Sequence, residues 1–219
     1  MSATMHDLTY DVSFGESRNR LTTLVRIILA LPHAICMALW GYACYFAAIG
    51  QWAIILFTGQ RNDGIWQFHR NYLAYASRVN GYAYLLFDEY PGFFNDWKSE
   101  PVAFDLRTND APNRLSNALR LIWMIPAAVV AYIIGILVGL VAVVAWFAIV
   151  ITGRMPRGMF DFILRGQRLA LRLIAYGLLA TDDYPWFAGS EPTSVLPPGD
   201  GSSGITGGSG APLPPPAYS

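Results

Sequence analysis

Residues 127–152, AAVVAYIIGILVGLVAVVAWFAIVIT, carry no charged side chain over the length of a bilayer crossing. A helix needs about 20 predominantly apolar residues, at ~1.5 Å rise each, to traverse ~30 Å of hydrocarbon. A second run, residues 33–58, reaches the same length and is made less apolar by Tyr42, Tyr45 and Gln51. Buried helices of water-soluble domains are usually shorter and keep a polar stripe. The two runs therefore point to a chain built into a membrane. Composition agrees, with 54% hydrophobic and only 14% charged residues and a mean hydropathy of +0.34. Seven Trp and 12 Tyr suit the two membrane–water interfaces. A net charge of zero leaves no basic excess to attract nucleic acid. Residues 1–19 are polar and contain no cleavable signal core, so the first apolar run is expected to act as an uncleaved signal.

The apolar runs are parts of a larger duplication. Residues 8–93 align with residues 102–187 at a constant offset of 94, without gaps. Asp11 meets Asp105, Asn19-Arg20-Leu21 meets Asn113-Arg114-Leu115, Arg26 meets Arg120 and Pro32 meets Pro126. Trp52 meets Trp146, Thr58-Gly59 meets Thr152-Gly153, Arg78 meets Arg172 and Asp88 meets Asp182. Shared hydrophobicity alone does not place Arg, Pro and Asp in register, so the chain is two tandem copies of one unit.

Each unit reads in five parts. A short alternating segment (8–14, 102–106) is extended or a strand. An amphipathic helix follows (18–31 in the first copy), with Asn19, Thr22, Thr23 and Arg26 at helical spacing. Pro32 or Pro126 then predicts a kink before the apolar span. A turn rich in Gly, Asn, Asp and Pro comes next (58–64, 152–158). The last part is an Arg-striped helix (65–87, 159–181), closed by Asp-Glu-Tyr-Pro or Asp-Asp-Tyr-Pro. The fold class is an all-α membrane protein of two helical repeats. Residues 1–7 form an N-terminal tail, 8–93 and 102–187 the repeats, and 94–101 a linker. Residues 188–219, rich in Gly, Ser and Pro, are expected to be a disordered tail.

Two units in the same orientation need an even number of crossings each. Four crossings are preferred, the Arg-striped helices being long enough to span. Two crossings with inverted units are the alternative, and these split the basic turns between the two sides of the membrane. A tight hairpin within each apolar region, turning near Gly41 or Gly135, is a third arrangement.

The run ILFTGQRNDG (55–64), its partner IVITGRMPRGMFDF (149–162), the Leu-Pro-His ending of residues 20–33 and the closing Asp-Glu-Tyr-Pro carry a resemblance. They resemble the bacterial membrane family catalogued as domain of unknown function 4389, here in tandem. The second copy matches the Thr-Gly-Arg-x-Pro-Arg-Gly element, whereas the first departs from it at Gln60-Arg61-Asn62-Asp63. The resemblance implies a membrane location, and the expected setting is the bacterial cytoplasmic membrane, crossed more than once. It implies no established activity and supplies no catalytic residue.

The candidate functional residues are arginines and their acids. Arg154, Arg157, Arg165, Arg168 and Arg172 present clustered guanidinium groups that can bind lipid phosphates. The bland alternative is snorkelling, or pairing such as Asp161 with Arg165 at i, i+4. Arg78 with Asp88, and Arg172 with Asp182, recur in both copies as ion pairs or as the lining of a pathway. His6, His33 and His69 have no acid or Cys at ligand spacing, so no metal site or cofactor is expected. Cys36 and Cys44 read as small core residues.

Three functions remain in order. A non-enzymatic accessory or scaffold subunit comes first, contacting a membrane-protein partner or a second copy through Gly135, Gly139 and Ala142. A small transporter or lipid-binding protein using the Arg-bearing helices comes second. An enzyme comes last, for want of a base, nucleophile or metal set.

Overall fold

The computed structural model describes residues 8–93, 101–107, 112 and 114–184. The tail segments 1–7 and 188–219, most of the 94–101 linker and Asn113 lie outside the described residues. Each repeat contributes one strand and two helices. They are β1 (Leu8–Val12), α1 (Arg20–Thr58) and α2 (Asp63–Ala83), then β2 (Val102–Leu106), α3 (Arg114–Thr152) and α4 (Arg157–Gly177).

The expected kink at proline does not divide the long helices. Pro32 and Pro126 lie inside α1 and α3, which are continuous over 39 residues each. In apolar surroundings a helix keeps its remaining backbone bonds because nothing else can satisfy those groups. The helices stop instead at Thr-Gly. Gly59 and Gly153 take φ of 73° and 74°, and their N–H groups donate to Ile55 and Ile149 carbonyls at 2.8 and 2.7 Å. The Thr58 and Thr152 hydroxyls donate to the carbonyls of Ile54 and Ala148, both at 2.7 Å. This is a left-handed helix stop that glycine adopts without a Cβ penalty.

A methyl group at either glycine would also meet the other repeat. A Cβ on Gly59 would lie 2.5 Å from Arg114 Nε, and one on Gly153 3.0 Å from Arg20 Nε. Gly59→Ala and Gly153→Ala are each expected to cost about 1–2 kcal/mol, from left-handed strain and from displacing that guanidinium. Thermal unfolding should show the larger loss for Gly59→Ala.

Buried polar side chains face inward from α1. Thr23, Arg26, His33 and Gln51 are buried, while Leu21, Leu24, Ile27, Ile28 and Leu31 are exposed. The stretch expected to be an amphipathic surface helix therefore has its polar side against protein and its apolar side outward. Asn19 caps the start of α1, its side chain accepting from Leu21 and Thr22 N–H groups. Buried Gln51 accepts from the Asn62 N–H at 3.2 Å and fixes the turn into α2.

The repeats are related by an approximate two-fold that runs across the long helices. Trp52 Nε1 donates to the Asn117 carbonyl at 3.2 Å, and its counterpart Trp146 Nε1 donates to the Thr23 carbonyl at 2.9 Å. Rising residue numbers on α1 thus meet falling numbers on α3, and the two helices are antiparallel. The same inversion brings the start of α1 to the end of α3, where the Arg18 N–H donates to the Gly153 carbonyl at 2.9 Å. Were α1 and α3 to span a bilayer, the two units would be inverted, unlike the same-orientation premise of the four-crossing arrangement. A constant sequence offset reports duplication and carries no information about the rotation relating the copies.

The strands are exchanged between repeats. β1 and β2 form an antiparallel ribbon centred on Tyr10 and Phe104. β1 packs on α4 and β2 on α2. The molecule has three layers, with α1 and α3 outermost, α2 and α4 in the middle and the ribbon on the far side. The main core lies between the ribbon and the middle layer, from Leu8, Val12, Leu73, Leu106, Ile163 and Leu171.

Candidate functional site

Each long helix carries one charged residue past its first position, and both are buried in the same kind of cradle. Arg26 is 2% exposed. Its Nη1 donates to the carbonyls of Tyr82 and Phe87 at 2.9 and 2.8 Å, and its Nη2 to Asp88. The guanidinium lies 4.5 Å above the Tyr82 ring centre. Arg120 repeats this with Tyr176 and Thr181 carbonyls at 2.6 and 2.9 Å, with Asp182, and with the Tyr176 ring at 4.3 Å. The carbonyls are presented by a tight turn after α2 and α4 in which Leu85 and Leu179 take positive φ, 67° and 56°. A non-glycine residue in that region is strained, and here it recurs in both copies. Asp88 also accepts the Asn19 N–H at 2.7 Å, which joins the turn to the start of α1.

The sequence matches Asp88 with Arg78 and Asp182 with Arg172, the nearest arginines, as ion pairs or as the lining of a pathway. The structure gives them Arg26 and Arg120 instead, with Arg61 also 3.4 Å from Asp182. Arg78 and Arg172 sit partly buried at equivalent places on α2 and α4. The sequence did hold a sign of the true pairs, since Arg26 and Arg120 are the lone charges within otherwise apolar helices and occur in both copies.

The rest of the arginine stripe divides by burial. Arg168 is buried, and donates from Nε to the Tyr10 carbonyl at 2.7 Å and from Nη2 to Asp11 at 2.8 Å. It ties β1 to the helix of the other repeat. Burial pushes the neighbouring Tyr10 phenol well above its usual range, against the opposing pull of Arg168. The second ribbon tie, Arg70 to Asp105 at 3.8 Å, is looser and more exposed. Arg157 bonds Asp161 at 3.3 Å and lies over the Phe14 ring at 4.4 Å. Asp161 therefore pairs one turn back along α4, where the i, i+4 spacing had suggested Arg165. Arg154 reaches exposed Glu16 at 3.8 Å. Arg165 is exposed and has no ion pair among the described residues.

Two apolar clefts open beside the cradles. One of about 500 Å³ is lined by Ala48, Trp52, Arg120, Met124 and Gly177. The other, about 330 Å³, is lined by Arg26, Ala83, Ala142 and Trp146. They are counterparts under the repeat, with Gly177 of the larger at the position of Ala83 in the smaller. Among the described residues no group of three His, Cys, Asp or Glu side chains is placed to hold a metal.

Two long apolar helices turned outward, four helices in two copies related by a two-fold and an arginine cradle in each copy define a duplicated helical protein of the membrane-associated class. Residues 20–95 and again 114–189 match the family described as Domain of unknown function (DUF4389), and the chain belongs to it. The two matches stand 94 positions apart, as the internal alignment does. No curated protein and no solved structure matches the chain.

Proposed function

We infer that this protein is a non-enzymatic scaffold or accessory subunit of a complex in the bacterial cytoplasmic membrane. The observation that carries the reading is the outward face of α3. Gly135 and Gly139 lie one helical turn apart, and a Cβ at either would meet nothing of this chain within 4 Å. Small residues on an exposed membrane helix let a second helix approach closely, and among the described residues no helix uses that place. Arg26, Arg120 and Gln51 of the long helices are meanwhile engaged in internal cradles and turns, which suits a supporting role.

Native mass spectrometry of the gently extracted protein tests this. A stoichiometric complex is expected, with Gly139→Leu losing the partner while keeping its own thermal unfolding temperature. Recovery of the wild-type protein alone would overturn the reading.

A second reading, lipid binding, draws on the paired clefts. Their walls suit an acyl chain rather than a phosphate, because the guanidinium groups beside them are already held by carbonyls and carboxylates. Retention of the same lipid by both clefts in that mass spectrum would support it.

A further inference from the structure

We propose that the chain is immersed from one side only, with α1 and α3 lying along the membrane plane in a single leaflet. The middle layer and the ribbon then stand in water on that same side, and no described helix crosses the bilayer. The proposal rests on the membrane reading above and concerns how that membrane is met.

The length of the exposed apolar face is the first support. Nearly all exposed large apolar side chains belong to α1 and α3, whereas α2 and α4 contribute Phe68 and Phe162. On α1 they run from Leu21 to Phe57, and on α3 from Leu115 to Ile151. That is roughly 54 Å of helix at ~1.5 Å per residue, against ~30 Å of hydrocarbon. Fitting it across a bilayer needs a tilt of roughly 55°, outside the usual range of about 0–40°. Laid in the plane, the whole length is in hydrocarbon at a depth of about one helix diameter, ~10 Å.

The ribbon is the second support. Tyr10 bonds Ser77 and Arg168, and Asp105 pairs with Arg70, so the ribbon lies along the flanks of α2 and α4 and not beyond their ends. The Asp105 carboxylate is 52% exposed there. Thr9, Gln67, Asn71 and Arg165 are exposed on the same layers. With the helices upright, this open-edged ribbon and its charges would sit at mid-bilayer facing lipid. Hydrocarbon cannot satisfy open strand edges, and charge facing lipid is costly. With the helices flat, the same groups face water.

Charge placement is the third. Glu16, Arg20 and Arg154 cluster at one end of the long pair, and Arg61, Asp63 and Arg114 at the other. Upright helices divide these arginines between the two compartments, against the positive-inside tendency. Flat helices keep them all on one side.

The test is vesicle labelling of single-cysteine variants in a Cys36→Ser, Cys44→Ala background. Glu16→Cys, Gln60→Cys and Thr9→Cys are each challenged with a membrane-impermeant maleimide, in right-side-out and in inverted vesicles. All three are expected to label at least tenfold faster from one and the same side. Labelling of Glu16→Cys and Gln60→Cys from opposite sides overturns the proposal, as does protection of Thr9→Cys in both vesicle types. Glu89→Cys and Asp63→Cys mark the same two ends should either end variant fail to accumulate. Release of the wild-type protein by alkaline carbonate would remove the membrane reading itself, an outcome distinct from a change of sidedness.

Discussion

Arg26→Leu and Arg120→Leu are each expected to lower stability by about 3–5 kcal/mol, the usual cost of removing one partner from a buried ion pair. The loss has three sources. Asp88 is left without its guanidinium, and Asp182 keeps only the more distant one of Arg61. Two turn carbonyls lose their shared donor. The ring of Tyr82 or Tyr176 loses the cation above it. Lysine should restore only part, because one ammonium cannot reproduce the planar fork that serves two carbonyls and a carboxylate together. Equilibrium unfolding in detergent measures each step. A single leucine variant within about 0.5 kcal/mol of wild type, as for an ordinary surface substitution, would show that the cradle does not hold the helices of its repeat together.

The next largest effect is expected at Arg168. Arg168→Ala removes the donor to the Tyr10 carbonyl and takes the guanidinium from the Asp11 carboxylate, both buried. A loss of about 3 kcal/mol should follow. A double-mutant cycle with Asp11→Ala should give a coupling above ~1 kcal/mol, as expected for contacting residues of one network. The matching cycle for Arg70 and Asp105 should fall below about 1 kcal/mol, since that pair is long and solvent-screened. Equal couplings would mean that the two halves of the ribbon are anchored alike, contrary to their geometry. The inequality has a plain origin in the sequence. The position equivalent to Arg168 is Ala74, and the position equivalent to Arg70 is Leu164. The two repeats thus reach the facing strand from helix positions one turn apart.

Local features were legible because local chemistry sets them. The offset of 94, the strand at 102–106 and the Thr-Gly stops follow from residue type and spacing, and all are present. The helix continues through each proline, because an apolar exterior offers no water to take up the backbone groups that a break would free. The polar positions Thr23 and Arg26 showed the correct helical period, yet period alone does not say whether the polar side faces water or protein. The cradle partners were missed for a related reason. Asp88 was matched to the arginine nearest in sequence, whereas the antiparallel return of α2 brings it to a residue 62 positions away. Contacts between repeats, such as Trp146 to Thr23, depend on the rotation between copies and leave no trace in a linear alignment.

The exchange of strands also sets a timetable for synthesis. The seat of β1 is built partly by Arg168, which lies 158 positions after Tyr10. At about 5–20 residues per second, a nascent chain needs roughly 10–30 s to supply it. The first repeat can insert its apolar helix and close its own arginine cradle during that interval. Its amino-terminal strand must wait on the ribosome's later output, and a chain cut off after the first copy would be left with an unpaired strand edge, an invitation to pair with a second such chain.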